Sequence, residues 1–112
     1  MMPFEKRKIA IIGDLILDYF KYYKAIRLSP EGPAPIVNKI NEFEKAGGAG
    51  NVANSLFNLG CDVSLLYNQS ISEKKQEIQV KKLFDNGIEL KPILSDTSKS
   101  LPVKIRYYVD DR

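Results

Sequence analysis

The stretch EKAGGAGNVANSLFNLG, residues 44–60, sets Gly47, Gly48 and Gly50 ahead of a helical pattern and Gly60 behind it. From Gly48 onward Val52, Ala53, Leu56, Phe57 and Leu59 fall on one broad apolar stripe, with Asn51, Asn54, Ser55 and Asn58 on the other side. Gly60 then suits the left-handed position that ends a helix. Bare backbone of this kind serves either a tight turn into the helix or a loop whose peptide N–H groups lie close against a ligand. The flanking segments have to choose between the two.

Upstream, KIAIIGD (8–14) is a short continuous apolar run closed by Gly13, the pattern of a strand buried on both faces in a parallel sheet. Asp14 and Asp18 follow it directly. YFKYYKAIRL (19–28) is rich in aromatic and β-branched residues, LSPEGPAP (28–35) breaks it with three prolines and a glycine, and IVNKINEFEKA (36–46) continues as a more polar extended segment with one exposed face. Downstream, CDVSLLY (61–67) reads as a second buried strand. SEKKQEIQVKKLFDNG (72–87) reads as a second helix with Val80, Leu83 and Phe84 inward and Asn86-Gly87 as its stop, and IELKPIL (88–94) as a third strand. PVKIRYYV (102–109) alternates cleanly, with Val103, Ile105, Tyr107 and Val109 on one face and Lys104, Arg106 and Tyr108 on the other. Two cations therefore share one side of a strand.

This order is the opening of an α/β sheet with crossover helices. No linker divides the 112 residues, so one domain is expected over 1–112, with one sheet edge open and the chain forming the N-terminal part of a larger protein. The composition, 44% hydrophobic and 28% charged, is that of a globular protein, and a net charge of +3 with scattered basic residues argues against a nucleic-acid partner. No apolar stretch reaches membrane-spanning length. The single Cys61 has no disulfide partner and reads as a small buried side chain in a cytoplasmic setting. The chain has no histidine, which removes imidazole bases and His-metal sites from consideration within it.

In open α/β sheets ligands bind beyond the carboxyl ends of the strands, where Asp14, Asp18 and the glycines are expected. Carboxylates accept hydrogen bonds in pairs and glycine backbone donates them without steric cost, so the set matches a polyhydroxylated ligand better than an anion. Asn51, one turn into the helix, suits a further hydroxyl. A dinucleotide fingerprint would follow the first strand at once, and DLILD stands there instead.

Taken together, IIGDLILDYF, RLSPEGPAPIV, GGAGNVANSLFNLG and LPVKIRYYV resemble, in order and spacing, the ribokinase/PfkB family of ATP-dependent sugar kinases. RLSPEGPAP points to its heptose-7-phosphate kinase branch, as in the enzymes of ADP-heptose synthesis. The resemblance implies a ribokinase-like doubly wound sheet with a small β-lid formed by about 19–43 and 103–110. It also implies that Asp18 and Asp14 hold sugar hydroxyls, and that Gly47, Gly48 and Asn51 complete the sugar site. Lys104 and Arg106 become candidates for the phosphate of a phosphorylated sugar. For the full-length family it implies ATP and magnesium. The family's Gly-Ala-Gly-Asp motif, with the catalytic aspartate and ATP pocket, lies beyond residue 112, so this chain is expected to bind a sugar or sugar phosphate without transferring phosphate. LLYNQSISEKKQ departs from the family in lacking a glycine after the second strand. The competing expectation is a non-catalytic interaction module, pairing through its lid and open sheet edge with itself or with a separate C-terminal half.

Overall fold

The computed structural model describes residues 6–70, 74–84, 87–95 and 100–111. Eight elements follow in order: β1 (Lys8–Ile12), β2 (Leu15–Leu28), β3 (Pro35–Gly48), α1 (Ala49–Asn58), β4 (Asp62–Ser70), α2 (Lys74–Leu83), β5 (Glu89–Ser95) and β6 (Val103–Val109). They make two three-stranded sheets, one in the order β1-β4-β5 and one in the order β3-β2-β6.

The first sheet is parallel throughout, with Ile9 beside Val63, Ile11 beside Leu65 and Leu65 beside Leu90. Parallel neighbours need a crossover, and the helical segments α1 and α2 supply it. Alternation along β4 buries Val63, Leu65 and Tyr67 on one face, where Ala53 of α1, Val80 of α2 and Phe84 close the core. Each fully buried aliphatic side chain contributes about 1.5–3 kcal/mol. The end of α1 is shaped by Gly60 at φ 97°, whose N–H donates to the Phe57 carbonyl while that of Cys61 donates to Leu56. This paired bonding is the Schellman ending that the glycine's position foretold.

The second sheet is a long hairpin with an added strand. β2 and β3 run antiparallel from Leu15 opposite Gly48 out to Leu28 opposite Pro35, with register shifts at Tyr22/Tyr23 and Ala25/Arg27. The proline-rich turn is closed by Ser29 N–H on the Ala34 carbonyl, and the Ser29 hydroxyl accepts from Glu31 N–H. β6 lies parallel to β2, Leu17 beside Val103 through Tyr23 beside Val109. Its root is held twice: Leu17 N–H donates to the Pro102 carbonyl, and the Gln76 side chain of α2 both accepts from Leu101 N–H and donates to its carbonyl. Leu15 and Leu17, at the base of β2, belong to the same core as Val63 and Leu65, so the two sheets share one hydrophobic centre.

Several expectations are corrected. β1 is not buried on both faces: Ile12 is 74% exposed, because β1 is an edge strand and the described core elements pack on one side of the sheet only. On α1 the inward face is Gly50, Ala53, Leu56 and Phe57, whereas Val52 and Leu59 are 50% and 59% exposed. The helix approaches its neighbours through its smallest residues, which turns Val52 outward. Cys61 is free and only half-buried. The second sheet is longer than the 19–43 segment, beginning at Leu15 and ending at Gly48, which sets Asp18 inside a strand rather than in the connection after β1. Asn86 lies outside the described residues; Gly87 has φ 100°.

Candidate functional site

Strand alternation on β2 sends Leu15, Leu17 and Tyr19 one way and Asp18, Phe20 and Tyr22 the other. The first set enters the core. The second faces outward, with Lys45 of β3 and Lys104 of β6 as the cross-strand neighbours of Asp18, and Phe43 and Arg106 as those of Phe20. Phe20 stacks on Phe43 at 4.9 Å, Tyr22 stacks on Phe43 at 5.7 Å and on Tyr108 at 4.9 Å, so the outward face is an aromatic floor. Arg106 lies over the Phe20 ring at 5.2 Å; Lys45 lies over Phe20 at 5.9 Å and Phe43 at 5.5 Å.

At the base of this floor Asp18 leans onto Gly47. A β-carbon on Gly47 would collide with the Asp18 carboxylate, and Gly47 itself is buried. The other carboxylate oxygen, Asp18 Oδ1, is buried without a hydrogen-bond partner among the described residues. Such an oxygen costs about 1–3 kcal/mol, or more for a charged group, until something donates to it. A sugar hydroxyl is a donor of the right kind.

The remaining glycines of the opening stretch do different work. Gly48 sits at φ 57°, ψ −130°, a region open essentially to glycine, and a β-carbon there would lie 2.5 Å from the Asp14 carbonyl. That carbonyl accepts from Ala49 N–H at 2.8 Å and so joins the start of α1. Gly50 is bare for packing: a β-carbon would meet Leu15, Ala46 and Phe84 at 2.6, 2.7 and 3.0 Å. The bare backbone of GGAG is therefore occupied by the protein's own atoms. At Gly47 the occupant is a carboxylate, that of Asp18.

Of the residues singled out from sequence, the structure brings Asp18, Gly47, Lys104 and Arg106 onto one end of one sheet face, with Gly48 adjoining. Asp14 is exposed and contributes its backbone to the turn. Asn51 is exposed on α1 and lines an open hollow with Glu44, Lys45, Asn54 and Asn58. Lys45 is the cation that sequence reading passed over, although counting back from the proline turn along two paired strands puts it opposite Asp18. On the reverse face, burial and the nearby Glu44 carboxylate raise the Tyr19 hydroxyl above its ordinary value, and Gln79 hydrogen-bonds it.

No protein-family model matches the chain. Among sequence relatives, bifunctional protein HldE of Helicobacter acinonychis (strain Sheeba) is 54% identical over 59 residues, 53% of this chain and 13% of that protein. HldE of Geobacter sulfurreducens is 38% identical over 96 residues, 86% of this chain and 19% of the relative. Among solved structures, a carbohydrate kinase from Agrobacterium tumefaciens aligns over 94% of this chain and 32% of its own with a TM-score of 0.66 at 21% identity, a likeness of fold. In fold the chain is similar to the ribokinase-like carbohydrate kinases over most of its length. It spans about a fifth or less of the curated relatives just described and about a third of the solved kinase. The ribokinase-like part seen here holds two units, the parallel core sheet and the hairpin-based sheet that carries Asp18 and the cations. No helix among the described residues is long and apolar enough to cross a membrane.

Proposed function

We propose that this chain is the sugar-binding part of an ATP-dependent kinase acting on a heptose phosphate or a similar sugar phosphate. The observation that carries the reading is Asp18, whose buried Oδ1 has no donor among the described residues, at the base of an outward-facing sheet surface. Sugar hydroxyls donate to Asp18 and Asp14, with the backbone at Gly47 and Gly48 and the amide of Asn51 bounding the sugar. Lys104 and Arg106 give the phosphate its charge partners, Arg106 through a planar fork and Lys104 as a point charge. HldE relatives support the sugar-phosphate class, and the alternation of β6 supports the placement of both cations.

ATP and magnesium are implied for the whole enzyme. Among the described residues no group of three carboxylate, cysteine or histidine side chains could hold a metal ion. Phosphoryl transfer rests on positioning and on charge stabilisation at the γ-phosphate, so the 112 residues alone should bind without turning over. An assay of ADP release with ATP, magnesium and D-glycero-D-manno-heptose 7-phosphate should stay at background. Turnover that disappears in Asp18→Ala would overturn this division of labour.

A second reading, association through the lid and the open sheet, is favoured by one observation: Val103, Ile105 and Tyr107 of β6 and Ile12 and Ile93 of the first sheet are exposed. A concentration-dependent sedimentation coefficient supports it. A strict monomer at high concentration removes it.

A further inference from the structure

Resting on the sugar-phosphate reading above, we propose that Lys45 is a phosphate-specificity residue, closing with Arg106 a two-sided anion clamp over the Phe20 ring. The two cations arrive from opposite strands, Lys45 from β3 and Arg106 from β6, and both lie against Phe20, at 5.9 and 5.2 Å from its centre. Lys21 also lies over a ring, that of Tyr107, but on the reverse face, and three other lysines are ion-paired. Lys39, Lys81 and Lys91 pair with the carboxylates of Glu42, Glu77 and Glu89 at 2.7, 3.3 and 3.5 Å. Lys45 stands opposite Asp18 in the ladder, yet its ammonium lies over the aromatic rings and Asp18 Oδ1 keeps no hydrogen-bond partner among the described residues.

Charge on this face is uneven. Over the rows from Asp18 to Tyr22 it carries Lys45, Lys104 and Arg106 against the single carboxylate of Asp18, since alternation puts Glu42 and Glu44 on the reverse side. A cation lying on a ring is held in place through the ring face while its N–H groups stay free for an acceptor, and an anion placed between two such cations meets prepositioned donors. A phosphate carries enough acceptor oxygens to use both.

Position also measures the ligand. Asp18 and Phe20 are two residues apart on β2, roughly 7 Å along a strand. A molecule that gives hydroxyls to Asp18 while its phosphate sits over Phe20 therefore has the two groups at opposite ends of a short carbon chain. This selects a terminally phosphorylated sugar over a sugar phosphorylated next to the hydroxyls that Asp18 holds.

The test is a calorimetric titration of the protein with D-glycero-D-manno-heptose 7-phosphate, the unphosphorylated heptose and inorganic phosphate, using the unsubstituted chain, Lys45→Gln, Asp18→Asn and the ion-paired control Lys39→Gln. Lys45 is exposed, so thermal melting should be unchanged in Lys45→Gln. The clamp predicts that Lys45→Gln weakens the sugar phosphate about tenfold, leaves the free heptose within about twofold, and is not mimicked by Lys39→Gln. Unchanged sugar-phosphate affinity in Lys45→Gln, with Asp18→Asn still weakening both sugars, would overturn the clamp and leave the sugar site standing. Failure of the unsubstituted chain to bind either sugar, or indifference of both to Asp18→Asn, would remove the sugar site and the clamp together.

Discussion

The carboxylate of Asp18 fills the volume that a β-carbon on Gly47 would need, so the aspartate and the glycine form one unit across the β2–β3 ladder. Three glycines within four residues can then be separated by experiment. In Gly47→Ala the obstacle is the end of a side chain, which can rotate away; stability should change by less than about 1 kcal/mol while sugar affinity falls with the displaced carboxylate. Gly48→Ala forces a β-carbon onto the Asp14 carbonyl in a glycine-only conformation and should cost about 1–3 kcal/mol. Gly50→Ala overpacks Leu15, Ala46 and Phe84, at about 1–3 kcal/mol, with little effect on the face that carries Asp18. Thermal melts beside binding titrations check the pattern; equal destabilisation by all three would contradict it.

Gln76 anchors the root of β6 by exchanging two hydrogen bonds with the peptide groups of Leu101, at 2.9 and 3.4 Å. Gln76→Leu leaves both groups of a part-buried backbone unpaired and should cost roughly 1–3 kcal/mol. Because Leu101 immediately precedes the strand bearing Lys104 and Arg106, amide exchange should accelerate along β6 more than along β4. Exchange that rises uniformly would mean that Gln76 serves general stability and does not anchor that strand.

Tyr67 is buried in the core, donates its hydroxyl to Gln69 Oε1 at 3.2 Å, and has its pKa pushed up to about 12 by burial and secondarily by Glu77. The unfolded chain ionises this phenol near 10, so the folded state keeps the proton over a range where the unfolded state has lost it. Its contribution is whole below about pH 10 and is lost as pH rises toward 12. The melting temperature should fall through that window, and less steeply in Tyr67→Phe. Identical alkaline profiles for the two proteins would contradict the assignment.

Much of the architecture was legible because it rests on local rules: the period of the apolar residues, Gly60 at the end of α1, the proline turn between β2 and β3, and the alternation of β6. What escaped reading is long-range. That Val52 faces out while Gly50 faces in depends on Leu15 and Phe84, which reach Gly50 from distant parts of the chain. That β1 has one open face depends on which side the helices cover. For the candidate site, Asp18 and the β6 cations could be named from sequence, whereas Lys45 joins them through the hairpin register, which counting back from the proline turn gives because the two register shifts cancel. In sequence Gly47 reads as part of a sugar site; in the structure the Asp18 carboxylate occupies the room its missing β-carbon leaves.

The account depends most on Asp18 as a receiver of sugar hydroxyls, and a chemical-shift titration with unphosphorylated D-glycero-D-manno-heptose reads this without catalysis or phosphate. Shifts should concentrate at the amides of Asp18, Gly47 and Gly48. Asp18→Asn removes a charge-assisted acceptor worth about 1.5–3 kcal/mol, so affinity should fall roughly ten- to a hundredfold with the fold intact. Saturable shifts at these amides that weaken in Asp18→Asn are the predicted result; a titration that leaves Gly47 and Gly48 unmoved, or an unchanged affinity in Asp18→Asn, would contradict it.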